Sequence, residues 1–393
     1  MIVNGGPIQE IYEHSYKSMS LSFSRLSRGL SGGVSRAFGW PLERIHIRVP
    51  PPRRSGPVST ATRLPTPPYE ALITSGVASK LAYSTPKHFN LGRLIREDGA
   101  NGCVIDVARL KARDVQDTLP NGVEDVTFYD ATSPEFQQSE PQRRQHTQAF
   151  MWVRNGKAFV AFRGTSSAGD VMANLNLRLT DLIVSETEMV FEGPVPRVHG
   201  GFQLQLRAVC ASIFADLRDQ SADFDTVVFT GHSLGGALAT LAVVLYRHHD
   251  RDRTKDVWCH TFGSPRVGDV AFSRYFRGMV AVHNTWRVVH DEDPVPRVPI
   301  SSAYEHVPSS VLHLRKHEAR CTGYEEGASV EVDDIERFSE NLASTLQLRG
   351  FQRYRWVNRI LQILFSCRWY DPIAPHDMSN YVARLQRLFR NEV

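Results

Sequence analysis

Long hydrophobic runs are missing from this chain. Nowhere in its 393 residues is there a stretch as long as the roughly 18 apolar positions that a membrane-spanning helix needs. The first residues also lack the apolar core of a secretory leader, so an intracellular, non-secreted protein is the expectation. Charge of one sign is not in excess: the formal net charge is only +4, which leaves no basic footprint for nucleic acid. Cysteine is sparse and scattered. Cys103, Cys210, Cys259, Cys321 and Cys367 show no metal-ligand spacing, which predicts reduced thiols, Cys210 and Cys259 within the core. No metal and no organic cofactor is expected.

Acidic residues are missing from one region in particular. Between Ser15 and Ser55 the only acid is Glu43, against Lys17, Arg25, Arg28, Arg36, Arg44, Arg48, Arg53 and Arg54. Pro50, Pro51 and Pro52, then Pro65, Pro67 and Pro68, impose extended backbone. Residues 1–65 therefore separate from residues 66–393. Three readings compete for this arm: a disordered tail or linker, an organelle transit segment such as a mitochondrial one, or an extended arm that binds a protein partner.

What is present is an alternation of strand and helix signals. Helical spacing runs from Tyr69 to Tyr83. Residues 84–145 read as irregular. Gln148–Val153 and Ala158–Phe162 flank Asn155-Gly156, a hairpin signature. Asp170–Ile183 and Gln203–Arg218 read as helices. Val257–Gly263 and Thr285–Val289 read as strands. Strands alternating with helices imply a mainly parallel central sheet with helices on both faces.

One junction carries chemistry. The strand-like run Thr226–Phe229 leads through Thr230-Gly231-His232-Ser233-Leu234-Gly235-Gly236 into an apolar helix beginning near Ala237. Strand, Gly-x-Ser-x-Gly, helix is the context of a nucleophile elbow, which lifts a serine hydroxyl clear of the backbone on a sharp turn. Such a serine needs a base, and the base needs an acid that follows the serine in the chain. Asp293, beyond the strand ending at Val289, is the preferred acid, with Asp291 and Glu292 as competitors. His376, in a proline-bounded loop, is the preferred base, with His306, His313 and His317 as alternatives. Backbone amides of Leu234 and Thr165 are the expected oxyanion donors.

Together these residues resemble the class 3 lipase family of α/β hydrolases. The matching blocks are Phe162–Thr165, Val198–Phe202, Thr230–Ala237, Thr261–Gly268, Asp293–Pro296, and His376 before Met378 and Tyr381. They span roughly residues 145–385 in the family's order. The resemblance implies an α/β-hydrolase fold and hydrolysis of carboxylic esters of acyl lipids, whether acylglycerol, phospholipid or galactolipid. It further implies an acyl-enzyme on a triad of Ser233, Asp293 and His376, an oxyanion hole at Thr165 and Leu234, and a lid from Ser166 to about Thr180. The residues from Ala168 to Asn174 are small and polar beside the large apolar lids usual in the family. An insertion at about 315–370 lengthens the interval before His376.

Within that insertion, residues 351–370 read as a basic helix. Val357, Ile360, Leu361, Leu364 and Phe365 share one face, flanked by Trp356 and Trp369. It is either a core-packed helix or one that lies against a membrane surface or partner. The rival to an enzyme is a lipase-like accessory subunit of a larger, membrane-associated assembly, tethered through the arm.

Overall fold

The computed structural model describes residues 45–48, 66–84, 93–98, 103–111, 123, 125–132, 146–165, 178–184, 189–249, 254–299, 301–315, 318–325 and 376–389. Most of the arm, most of the expected lid (166–177) and residues 326–375, which include the helix expected at 351–370, lie outside them.

The sheet is built outward from the expected hairpin. β5 (His146–Arg154) and β6 (Lys157–Phe162) pair antiparallel. Asn155 and Gly156 both take positive φ, 49° and 68°, as a two-residue turn between right-twisted strands requires. β10 (Thr226–His232) then lies parallel between β6 and β11 (Asp256–Phe262), with Val228 opposite both Phe159 and Trp258. β12 (Thr285–His290) and β13 (Ser309–Leu314) continue in parallel. β10 is buried from Val227 onward, which suits a strand covered on both faces.

Beyond β5 the sheet extends in antiparallel fashion through β4 (Asp125–Thr132), β3 (Cys103–Lys111) and β2 (Arg93–Asp98). This corrects the reading of residues 84–145 as irregular. Strands such as Arg93-Leu94-Ile95-Arg96-Glu97-Asp98 carry little apolar alternation, and pairing with neighbours decides them. At the opposite edge β14 (Ala319–Glu325) runs antiparallel to β13, so the first part of the expected insertion is sheet. Ten strands make up this sheet among the described residues.

Two small ribbons stand apart. β1 (Ile45–Arg48) pairs in parallel with β8 (Met189–Glu192), so part of the arm is a strand. β7 (Leu179–Asp181) pairs with β9 (Arg197–His199), which replaces the C-terminal end of the helix expected at 170–183.

Helices cover both faces. α1 (Tyr69–Leu81) packs on β10 on one side together with α6 (Met378–Leu388), where Tyr69 stacks on Phe389 with ring centroids 3.7 Å apart. α2 (Gly200–Arg207), α3 (Cys210–Asp219) and α4 (Leu234–His249) cover the other face, and α5 (Val270–Arg277) follows β11. The single helix expected over 203–218 is two, broken at Ala208 and Val209. α4 is apolar all round and inaccessible along most of its length, as a helix enclosed by neighbours must be. Cys259 is buried in the core as expected, whereas Cys210 is only half-buried at its edge, and neither is in a disulfide.

Candidate active site

The site grows from the C-terminal ends of β6, β10 and β12, where parallel sheets place their ligands. At the end of β10 the chain reverses into α4. Ser233 sits on that turn with φ of +57°, a conformation non-glycine residues occupy only at a cost. Hydrogen bonds hold it there: Ser233 N–H donates to the Phe262 carbonyl at 2.9 Å, and Gly236 N–H donates to the Ser233 carbonyl at 3.0 Å. Gly231 and Gly235 make the reversal sterically feasible. A Cβ on Gly231 would lie 2.3 Å from the Gly235 backbone, and one on Gly235 would lie 2.1 Å from the Phe162 carbonyl oxygen. Strand β10 and its own helix therefore touch backbone to backbone.

The same closeness brings the end of β6 to the serine. Arg163 is pinned to β5, its N–H to the Gln148 carbonyl at 2.9 Å and its guanidinium to the Gln148 side chain. Thr165 follows, half-buried. Leu234 is the first residue of α4, where backbone amides have no partner within the helix and partial positive charge collects. Thr165 and Leu234 thus belong to two backbone segments in contact beside Ser233.

Asp293 leaves β12 on a short turn, its N–H bonded to the His290 carbonyl at 2.9 Å. The carboxylate is buried, at 1% exposure, and every contact to it is a donor. Val295 N–H meets Oδ1 at 2.9 Å. Tyr381 Oη–H meets Oδ2 at 2.6 Å. His376 Nδ1 meets the same Oδ2 at 2.7 Å. Since a carboxylate only accepts, Nδ1 carries the hydrogen and the neutral ring presents a lone pair at Nε2. His376 precedes α6, whose first turn is capped by the Asp377 side chain accepting from Ser379 N–H at 2.7 Å. Such a cap contributes about 1 kcal/mol and fixes the chain one residue from the imidazole.

Ser233 Oγ and His376 Nε2 are buried and have no hydrogen-bond partner among the described residues. Buried polar atoms are nearly always paired, so two orphans at one site indicate groups kept for a ligand or for chemistry. Ser233, Asp293 and His376 are each no more than 2% exposed.

The competing residues are engaged elsewhere. Asp291 accepts from Arg315 Nε at 2.7 Å and pairs with His313 Nδ1 at 3.0 Å. Burial raises its pKa, but those hydrogen bonds outweigh burial and leave it below the ordinary aspartate value. His306 is buried and donates from Nε2 to the Pro296 carbonyl at 2.7 Å. Its pKa is pushed far down by burial and by Arg287 and Arg266. His317 lies outside the described residues.

Two residues at this site escaped the sequence reading in function. Tyr381 was a motif match, and its bond to Asp293 depends on α6 reaching back 88 positions. Tyr83 ended a predicted helix and nothing more, yet its Oη lies 2.8 Å from His232 Nδ1. No local signal points to that contact, because it joins α1 to the elbow across the sheet.

Known proteins similar to this chain include fungal lipases. The chain is 34% identical over 149 residues to a lipase of Rhizopus niveus, covering 37% of this chain and 35% of that protein. It is 31% identical over 157 residues to secreted mono- and diacylglycerol lipase A of Penicillium camembertii, covering 39% and 47%. It therefore spans less than half the length of these relatives. Among solved structures, lipase II from Rhizopus niveus aligns with a TM-score of 0.45 at 18% identity, over 70% of this chain and 92% of that one. These relatives correct one expectation. A lipase of Fusarium solani, 38% identical over 115 residues, is secreted, as is the Penicillium protein, against the expectation of an intracellular chain. The composition of the first residues and the scattered thiols, on which that expectation stood, do not fix a compartment. Residues 159–303, which run from β6 through the elbow to the Asp293 turn, match the model of the class 3 lipases, and over that span the chain is similar to that family.

Proposed function

We propose that this protein hydrolyses carboxylic esters of acyl lipids through an acyl-enzyme on Ser233. The observation carrying this reading is the buried chain Tyr381–Asp293–His376, ending in an unpartnered His376 Nε2, beside an unpartnered Ser233 Oγ on a positive-φ elbow. His376 Nε2 accepts the Ser233 hydroxyl proton as Oγ attacks the ester carbonyl. Asp293 holds the imidazole by Nδ1 and stabilises its charged form. Backbone amides of Thr165 and Leu234 receive the oxyanion that develops on the carbonyl oxygen. His376 then protonates the departing alcohol, and a water activated by the same Nε2 releases the fatty acid. Each step uses a group already within or beside the buried cluster, and none requires a cofactor.

Acylglycerols are the substrates the reading favours, since similar proteins are named mono- and diacylglycerol lipases. Residues 66–393 form the hydrolase unit in this reading, and residues 1–65 an arm outside it. The test is hydrolysis of mono-, di- and triacylglycerols by purified protein beside Ser233→Ala, together with fluorophosphonate labelling. Turnover and labelling that both vanish in Ser233→Ala are expected. Hydrolysis that survives the substitution would remove the proposal.

A further inference from the structure

The ring of His232 fills the space between the sheet and His376. The two imidazoles are 4.3 Å apart centre to centre and inclined by 35°. His232 is 4% exposed. Its Nδ1 is 2.8 Å from Tyr83 Oη. Its Nε2 is buried and has no hydrogen-bond partner among the described residues. Tyr83 has a second contact: its Oη lies against the Gly164 backbone. The approach is so close that a Cβ on Gly164 would lie 2.2 Å from Tyr83 Oη and 2.6 Å from the His232 carbonyl oxygen. The Arg163 guanidinium lies over the Tyr83 ring, 6.0 Å from its centroid.

One phenol thus meets both halves of the site. Gly164 precedes Thr165 at the end of β6, and His232 precedes Ser233 at the end of β10. The Tyr83 hydroxyl, with His232 Nδ1 as the acceptor 2.8 Å away, donates to it. That leaves His232 as the Nε2–H tautomer, neutral, packed against the base. Burial, and then the charge on His376, push the His232 pKa far below its ordinary value, so it stays neutral beside an imidazolium. Burial likewise raises the Tyr83 pKa, so the phenol stays a donor.

We propose that Tyr83 is a positioning residue of this site. Its hydroxyl, packed against Gly164 and hydrogen-bonded to His232, holds the end of β6 and the tilted His232–His376 pair in one frame, so that base and oxyanion donors keep their spacing during acyl transfer. This rests on the ester-hydrolase reading above. Small misplacements of reacting groups cost up to roughly 100-fold in rate, and positioning lost this way lowers kcat rather than substrate affinity.

The experiment compares wild type, Tyr83→Phe, His232→Gln and the double variant on p-nitrophenyl butyrate, with active sites counted by fluorophosphonate. Tyr83→Phe keeps the ring and removes only the hydroxyl. The expected result is a fall of about 10- to 100-fold in kcat per labelled site with little change in KM, and a double variant no worse than His232→Gln alone. Wild-type kcat per site in Tyr83→Phe, or losses that multiply in the double variant, would overturn the proposal. If Tyr83→Phe does not fold, wild-type kcat in His232→Gln would overturn it equally. Ser233→Ala serves as control: activity surviving there removes the hydrolase reading, whereas an inactive Ser233→Ala beside a fully active Tyr83→Phe removes only the role given to Tyr83.

Discussion

Tyr381 Oη donates to the same carboxylate oxygen of Asp293 that His376 Nδ1 engages, at 2.6 Å, and accepts the His290 N–H at 3.0 Å. The phenol thereby ties α6, which follows His376, to the end of the strand that delivers Asp293. Its pKa is raised well above the ordinary tyrosine value by burial and by the neighbouring Asp293 charge. It is therefore a donor at neutral pH.

Replacing Tyr381 by Phe removes one of three donors to Asp293 and leaves the His290 amide without its acceptor. The expected cost is about 1–3 kcal/mol in unfolding free energy, the penalty for unpaired buried groups. A drop in kcat should accompany it, since His376 is then held by a less constrained carboxylate. Urea unfolding and ester hydrolysis on the same preparation check both. Unchanged stability would show that the bond contributes nothing net.

The two aspartates of the β12 turn make a sharper contrast. Asp293→Asn should lower kcat by on the order of 10⁴-fold, the loss seen when a triad acid becomes an amide and the base adopts the wrong tautomer. Asp291→Asn should leave kcat close to wild type, because that carboxylate serves Arg315 and His313. A large loss in Asp291→Asn would mean the acid has been misassigned.

Acid stability is set in part by His260, which is fully buried on β11 and bonded through Nδ1 to Ser75 Oγ at 2.8 Å. Burial, helped by Lys157, lowers its pKa to about 3. The folded value lies below the unfolded one near 6.5. Stability from this group is therefore complete above pH ~6.5 and lost as pH falls toward 3, at about 1.4 kcal/mol per pH unit. Urea midpoints between pH 7 and 4.5 should fall less steeply in His260→Gln than in wild type. Identical slopes would assign the acid sensitivity to other groups.

At the elbow, Gly235→Ala should prevent formation of the native site. Its Cβ would sit 2.1 Å from the Phe162 carbonyl oxygen, in backbone that cannot rotate away. Little folded protein, with no fluorophosphonate labelling of what remains, is the expected outcome. Wild-type labelling would mean that β6 and α4 can separate without cost.

Local order read well from the residues. The Asn155-Gly156 hairpin, the strand–turn–helix around Ser233 and the strands leading to Phe262 and His290 all stand close to where spacing put them. Each is decided by neighbours in sequence: turn chemistry, apolar continuity, glycine at a reversal. The antiparallel strands at 93–132 did not read, since their residues carry weak strand signals and gain order only from pairing. Residue order also singled out Ser233, Asp293, His376, Thr165 and Leu234, because a serine, an acid and a histidine in that succession on strand ends are a recognisable chemical set.

The tertiary structure decided what no local pattern encodes. Asp291 and Asp293 are two positions apart and chemically identical. Only packing sends one to His313 and Arg315 and the other to His376 and Tyr381. Tyr83 is an unremarkable residue at the end of a helix until that helix crosses β10 and sets its hydroxyl against His232. Hydrogen bonds spanning 80 to 150 positions are fixed by how the sheet stacks its helices, and a linear sequence carries no period that marks them.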